Sequence, residues 1–399
     1  MRYSPTGSPG AKSIATITRL SSGQAMSISI QEVKTRRAMK QFIYLPEKIH
    51  RNHPGWVPPF YSDDKKTFDP GSNPAYAYCE SMCALAMQED EPVGRIAGII
   101  NHRYNKEWKR RDARFGYLEC PGNREVAHAL LNFVEEWASK KGMSAIVGPM
   151  GFTEEDPEGY LIEGYEHPPN LATYYNFEYL PRLLEEEGYT KEVEYVVYTV
   201  VLARAISDFY RKAYQRVSRR QDFRLVEFSS KKEIKLHIRP IFRLMNECFR
   251  NIYGYSSLDE IEMDRLANRY LPIIDPRFIK IVVDNNNSVI GFIIGIPSIA
   301  DGIRKAGGRL YPFGIIKILK SLRQSKKLDL YLGGIQESYR GKGVDVLLGY
   351  SMMTSAIDAG FQVMDSHHEL ETNMKMRAEM ERVSGTVYKR FRIYRKSLT

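Results

Sequence analysis

Between Ser338 and Asp345 the sequence reads Ser-Tyr-Arg-Gly-Lys-Gly-Val-Asp, after an apolar run from Leu328 to Ile335 and before a long stretch with helical apolar spacing. A strand, a glycine turn and a helix start in that order make an anion cradle. First-turn N–H groups of a helix have no intrahelical partner, point outward, and lie at the positive end of the helix dipole. Gly341 and Gly343 let the backbone approach a phosphate closely, and Arg340 and Lys342 add positive charge. Two nucleotide patterns are excluded. No Lys-Ser/Thr pair follows the second glycine, as a P-loop needs, and the G-x-G-x-x-G fingerprint is absent. A solvated basic turn is the competing reading of the same residues.

The elements that must hold this loop follow it in a regular order. Apolar spacing predicts a helix over 344–359, a stop at Gly360, a strand over 361–369, a helix over 373–384, a second stop at Gly385 and a closing strand over 387–396. Loop and succession together resemble the C-terminal half of the GNAT acyltransferase superfamily, whose Arg/Gln-x-x-Gly-x-Gly/Ala loop binds the pyrophosphate of acyl-coenzyme A. Arg340, Gly343 and Asp345 fall on the three defining positions, Asp345 standing where the family has a small residue.

The resemblance implies acyl-coenzyme A as co-substrate, held by Ile335, Arg340, Gly341, Lys342, Gly343 and Val344, with Asn373 at the family's asparagine beside the coenzyme arm. It also implies a thioester lying between two central strands that splay apart. Acyl transfer to an amine needs a base for the amine, a donor to the carbonyl oxygen and a proton for the leaving thiolate. Candidate bases are Glu337 at the loop mouth and His367, Glu369 and Glu371, which share one strand face if the strand persists. A carboxylate at any of these places is equally a helix cap or a surface group. The family's tyrosine, seven residues after the asparagine, is Met380 here, so Tyr388 or water must protonate the thiolate. No cysteine lies in the loop or the strand before it, which suits direct attack.

The first half repeats the order. Strands at 83–87 and 95–100 flank a turn at 89–92, then come a strand at 114–119, a loop at 121–124, a helix at 126–140, a strand at 145–148, a helix at 171–187 and a strand at 194–202. Its loop has one glycine and one basic residue, Gly122 and Arg124, and lacks the pairs that would hold a pyrophosphate, so it reads as a degenerate, catalytically silent copy. The long loop 148–170, followed by four aromatics from Tyr174 to Tyr179, reads as an amine- or acyl-chain-binding wall facing the second domain or as a packed turn at the domain interface. In the second half a strand at 223–228, helices at 234–251 and 258–271 and a hairpin of 278–283 with 289–296 precede the apolar run. The expected architecture is α+β: a flexible tail (1–30), a degenerate GNAT-like domain (31–203), a connecting helix (204–222) and an acyl-coenzyme A-binding GNAT domain (223–399). Each domain is a mixed, mostly antiparallel sheet flanked by helices.

The chain has 399 residues, 43% of them hydrophobic, a formal net charge of +10 and a pI near 9.2, which favours an anionic partner. Its four cysteines show no zinc spacing and no C-x-x-C pair, so neither metal nor disulfides are expected. No apolar run is long enough to span a bilayer. Residues 302–327 carry eight basic and no acidic residues beside the apolar stripe Ile315, Ile318, Leu319 and Leu322. That describes an interfacial helix on anionic lipid, or a core-facing helix with a solvated basic side.

The pairing of a degenerate and a functional domain is similar to bacterial GNAT-type ceramide synthases and, more loosely, to N-acyl amino acid synthases. This implies a cytoplasmic N-acyltransferase at the inner face of the membrane, with a primary amine as acceptor, a sphingoid-type lipid amine among the options. An acetyl-coenzyme A-dependent N-acetyltransferase on a small soluble amine or peptide is the alternative. A basic nucleic-acid-binding module is the alternative of another class, disfavoured because no recognition element is present.

Overall fold

The computed structural model describes residues 27–398 apart from 154–155 and 171–172. The first half supplies β1 (Ile28–Glu32), β2 (Cys79–Gln88), β3 (Glu91–Asn101), β4 (Asp112–Glu119), β5 (Ala145–Gly148), β6 (Tyr160–Glu163) and β7 (Thr190–Val201). The second supplies β8 (Phe223–Glu227), β9 (Ile279–Asp284), β10 (Val289–Pro297), β11 (Lys327–Ile335), β12 (Val363–Asp365), β13 (Glu369–Leu370) and β14 (Thr386–Ser397). Most of the expected tail lies outside the described residues, but its last positions belong to β1, paired with β2 from Ile28 with Gln88 to Glu32 with Ala84. The structure is α+β, with helices on both sides of the strands.

The strands form one sheet in the order β1-β2-β3-β4-β5-β14-β7-β12-β11-β10-β9-β8, with β6 added to β14 and β13 to β7. They do not keep to the sequence halves. β14 lies between β5 and β7, pairing Ser397 with Ala145 on one side and Phe391 with Tyr195 on the other, while β7 continues across to β12. Each half is therefore completed by the other half's last strand. The exchange is held by buried Phe391, Ile393 and Tyr394 and by Arg395, whose guanidinium grips buried Asp112 with two bonds of 2.9 Å. A fork-to-fork pair of this kind fixes register as well as energy.

Two strand pairs among the described residues are parallel, and they occupy equivalent places: β4 with β5 over Asp112–Arg114, and β11 with β12 over Lys327–Asp329. Each pairing is short, and beyond it the two strands separate. Helix ends follow local chemistry. Asn123 caps the Arg124–Lys140 helix through Glu125 and Val126, and Asp259 with Glu262 forms a capping box at Glu260–Tyr270.

Four expectations need correction. The strand expected over 361–369 is only Val363–Asp365, because the chain then leaves β11 and returns as the two-residue β13 on β7. His367, Glu369 and Glu371 consequently do not lie along one continuous strand. The single connecting helix is two short ones, Leu202–Ala205 and Asp208–Val217, the second capped by Ser207. The helix expected from 171 starts at Tyr179, and loop 148–170 contains β6.

The segment 302–327 is a helical pair, Ala300–Ala306 and Gly314–Gln324, in close contact: a Cβ on Gly302 would lie 2.8 Å from the Ile318 backbone. Ile318 is buried with Ile299 and Ile303, and Leu322 packs against them with Val57 and Phe60 of the first half. The anticipated four-residue stripe is thus divided, since Ile315 and Leu319 stay exposed.

Candidate functional site

The apolar residues Leu328 and Leu330 anchor β11 in the core on the Val344–Asp358 side. On β10 the register shifts between Ile294 and Gly295, which face Leu332 and Leu330, so that Tyr331 is the extra residue of a β-bulge. Here β11 is already parting from β12. The outcome is an opening in the middle of the sheet, flanked by Tyr331 on β11 and by His367 in the segment just after β12, their rings edge to face with centroids 5.7 Å apart.

Above the opening β11 ends at Ile335, a single 3-10 turn covers Glu337–Tyr339, and the Val344–Asp358 helix starts. Gly341 and Gly343 both have positive φ, 72° and 95°, which a residue with a Cβ rarely adopts. A Cβ at Gly341 would meet nothing within 4 Å, whereas one at Gly343 would sit 2.6 Å from Val217 of the connecting helix. Gly341 therefore leaves open space for a ligand, and Gly343 also serves close packing. Arg340 folds back to donate from Nε to the Ile335 carbonyl at 3.1 Å, and Lys342 stands 5.0 Å from the Tyr339 ring centroid. Arg220 donates to the Lys342 carbonyl at 3.3 Å, its charge paired with Asp222 at 2.6 Å. The acidic departure at Asp345 is partly offset by Arg382, 3.8 Å away. Glycine space, outward N–H groups and the two cations Arg340 and Lys342 fit a pyrophosphate arm.

Below the opening lies a polar network. Lys327 reaches Asp365 at 2.9 Å and Asp329 at 3.4 Å, and the two aspartates are direct partners across the parallel strands. Tyr388 lies 2.5 Å from Asp365 and 3.0 Å from Asn170, and Lys389 donates to Asn170 at 2.8 Å and to the Pro168 carbonyl. Burial, then the Asp365 charge, pushes the Tyr388 phenol above its ordinary range, so it keeps its proton. Burial also raises the Asp329 carboxyl, although Lys327 opposes this. It lowers Lys389 to about 7, with the Lys327 charge adding to the effect.

The sequence candidates fall in different surroundings. Burial alone raises Glu369 to about 8, a basic carboxylate close to neutral pH. Glu371 is engaged by Lys191 at 2.5 Å. Glu337 is exposed at the outer end of the loop, and Asn373 uses its carboxamide to cap the Met374–Arg382 helix through Met376. His368, not foreseen, stacks 5.1 Å from Tyr195 and is held neutral by burial first and then by His367. Asp329, Asp365, Lys389 and Arg220 are also not foreseen, and Lys327, one of the eight basic residues assigned to the lipid-facing segment, turns instead into this network. A charged residue inside an apolar strand, as in Lys327-Leu328-Asp329-Leu330, was the available signal.

The equivalent opening in the first half is filled. Met150 donates its N–H to the Phe115 carbonyl at 2.8 Å, Arg114 holds the Gly151 and Phe152 carbonyls, and Phe152 is buried. At the end of β4, Glu119 bonds His50 at 2.7 Å, and that ring is stacked between Trp56 and Phe177. Tyr179 closes against Gly122, and Arg124 pairs with Glu187. No group of metal-ligating side chains occurs among the described residues.

No family model matches the chain. It is 25% identical to the bacterial ceramide synthase of Caulobacter vibrioides (strain NA1000 / CB15N) over 93% of its own length and 98% of that protein's. It is 24% identical to protein YghO of Escherichia coli (strain K12), over 90% of this chain and 93% of that one. Among solved structures, a tandem GNAT protein from the clavulanic acid biosynthesis pathway matches with a TM-score of 0.54 at 12% identity, over 93% of this chain and 99% of the other. A probable N-acyltransferase from Enterococcus faecalis V583 matches with a TM-score of 0.51 at 10% identity, over 93% of this chain and 73% of the other. The chain has the tandem GNAT fold, and its relatives are consistent with a transferase.

Proposed function

We propose that this chain is an N-acyltransferase that moves an acyl group from acyl-coenzyme A to a primary amine, with one working thioester site, in the second half. The observation that carries the reading is the opening between β11 and β12 directly below a loop with two left-handed glycines and the cations Arg340 and Lys342. The filled counterpart between β4 and β5 supports a silent first half.

In this reading Ile335, Arg340, Gly341, Lys342, Gly343 and Val344 receive the pyrophosphate arm. The amine nitrogen attacks the thioester carbonyl carbon, a C–N bond forms, the C–S bond breaks, and the thiolate takes a proton. Glu369, raised to about 8, is our assigned base, with His367 beside the opening as the other candidate. Tyr388 is the assigned acid on position, since its hydroxyl lies at the base of the opening, hydrogen-bonded with Asp365 and Asn170. Glu371 and Glu337 are weaker assignments, one being paired with Lys191 and the other exposed. Asn373 acts first as a helix cap.

The acceptor we infer to be a long-chain, sphingoid-type lipid amine met at the inner, cytoplasmic surface of a membrane. Support comes from the name of the Caulobacter relative and from the helical pair over 300–324. Tyr311, Phe313, Ile315, Ile316 and Leu319 are all exposed there, amid Lys305, Lys317, Lys320 and Arg323. Exposed apolar side chains rimmed by cations suit anionic lipid. Among the described residues no helix is long and apolar enough to cross a membrane.

The test is to incubate the purified protein with a panel of amines and either acetyl- or palmitoyl-coenzyme A, reading free thiol. Thiol release that depends on a long-chain amine supports the lipid reading. Release with small amines alone moves the acceptor to a soluble compound, and no release with any pair overturns acyl transfer.

A further inference from the structure

The Asp208–Val217 helix lies beside the glycine loop and packs on one side only. Tyr210, Tyr214 and Val217 recur at helical spacing on its inner face. Tyr210 and Val217 are buried, and the Tyr214 ring stacks on Tyr350 of the Val344–Asp358 helix with centroids 4.1 Å apart. Val217 is also the side chain that a Cβ at Gly343 would strike. The outer face is cationic. From Asp208 to Arg224 the chain carries six basic and two acidic residues, and one of the acids, Asp222, is held by Arg220 at 2.6 Å. Arg211, Lys212, Arg216 and Arg219 are exposed, and no carboxylate among the described residues pairs with them. Lys212 and Arg216 stand one turn apart, a spacing at which like charges repel, so folding alone does not favour the pattern.

The loop's own charge adds a second observation. Arg340 and Lys342 are opposed by Asp345 in the first turn of the following helix, and Arg382, 3.8 Å from Asp345, is shared with Glu379. A loop so balanced suits the singly charged phosphodiester of a phosphopantetheine arm as well as it suits a pyrophosphate. The cations from Arg211 to Arg219 extend over roughly 12 Å at a helical rise of about 1.5 Å per residue, further than one additional phosphate spans. They match a partner that carries several carboxylates of its own. Other polyanions fit less well. An interfacial helix needs an apolar face beside its basic one, and here that face is covered by the Val344–Asp358 helix, with Phe209 left exposed. A nucleic acid needs aromatic platforms among the cations, and Tyr210 and Tyr214 are turned inward.

We propose that this face docks an acyl carrier protein, whose phosphopantetheine phosphate enters the Gly341–Gly343 loop while acidic side chains of the carrier meet Arg211, Lys212, Arg216 and Arg219. The chain thereby takes its acyl group from a protein-bound thioester as well as from coenzyme A. The proposal rests on the acyl-transfer reading above and extends its donor. The bond changes are the same: the amine nitrogen forms the C–N bond, the C–S bond to the arm breaks, and the thiolate left on the carrier takes the proton that the amine gives up. Complementary charge of this kind steers encounter and sets register more than it adds raw affinity.

The test changes Arg211, Lys212 and Arg216 together to Glu, leaving Arg220 and the loop intact, on protein checked for an unchanged melting transition. Calorimetry at low ionic strength follows binding of holo-acyl carrier protein and of coenzyme A, and transfer to one long-chain amine is compared between palmitoyl-carrier protein and palmitoyl-coenzyme A. The parent should bind the holo-carrier and release it in high salt. In the variant, kcat/KM with palmitoyl-carrier protein should fall at least tenfold while that with palmitoyl-coenzyme A stays within about a factor of three. Gln at the same three positions removes the charges without reversing them, so it should give a smaller loss in the same direction and guards against a folding artefact. Parent protein that does not bind the holo-carrier overturns the docking face. An equal loss with both donors overturns it too, by assigning the cations to the coenzyme's own phosphates, as does release of the variant from anionic vesicles with carrier transfer unchanged. Failure of the transfer reading looks different: no thiol release from either donor with any amine. Carrier binding that is present in the parent and lost in the variant upholds the docking face even then.

Discussion

Tyr388 places its phenolic oxygen 2.5 Å from the Asp365 carboxylate, linking the last strand of the sheet to the short strand that borders the opening. With Asn170 3.0 Å away, the same hydroxyl joins three separate parts of the chain. Removing it as Tyr388→Phe tests the acid assignment. General acids typically contribute on the order of 100-fold or more, so kcat should fall roughly 100-fold with little change in the KM for acyl-coenzyme A. A purely structural hydroxyl would lower the melting temperature and leave kcat within a factor of about two.

Lys342→Glu reverses a charge in the loop without meeting the Val217 contact that makes Gly343 a poor site for substitution. Coenzyme affinity should drop about tenfold at low ionic strength, and less in high salt, because exposed charges are screened. Calorimetry of the unaltered chain should count one coenzyme, since Arg114, Met150 and Phe152 occupy the first opening. Two equivalent sites would contradict the silent first half.

Glu369 gives a pH signature with a definite sign. Its carboxyl ionises at about 8 in the folded chain, against an ordinary 4.5. Between those values the folded protein keeps a proton that the unfolded chain releases, so this group makes stability fall as pH rises through the window, with the full loss reached above about 8. Lys389 acts oppositely and higher: depressed to about 7 from 10.5, it makes stability rise over that range. Glu369→Gln should therefore be more stable than the parent near pH 7 and equal to it near pH 4, by denaturant titration. As the base, Glu369 should make the rate climb towards pH 8, and the substitution should abolish that limb. A pH–rate profile identical in both proteins would move the role to His367.

The helical pair offers a separate test. Changing Lys317, Lys320 and Arg323 together to Glu should release the protein from anionic vesicles, since each near-surface charge contributes on the order of 1 kcal/mol. Acylation of a long-chain amine should slow while that of a short soluble analogue is spared. Parent protein that ignores anionic vesicles at low salt would assign the exposed Phe313, Ile316 and Leu319 to another role.

Much of this was legible in the residues. The glycines, the flanking charges and the apolar periods identified the loop and most elements, because helix and strand spacing are local properties. The network below the opening was not, since Lys327, Asp365 and Tyr388 meet only once β11, β12 and β14 have been placed. The early end of β12 was hidden too: residues 361–369 have strand-like character, but β11 diverges and leaves them no partner on that side. Nor does side-chain alternation say which strand lies next to which. It fixes the face that is buried, and β14 satisfies that condition equally well in either half.

The exchanged position of β14 has a consequence for how the protein is made. Residues 145–148 wait for a neighbour that lies some 250 positions later in the chain, Tyr394 to Ser397. While the first half emerges from the ribosome, β5 is an unpaired edge, an exposed template for association with other chains. The sheet of neither half is complete until β14 is inserted, a long-range step that joins both. A chain interrupted before residue 386 should lose the first half's order along with the second's, so truncated products would be sticky rather than half-functional.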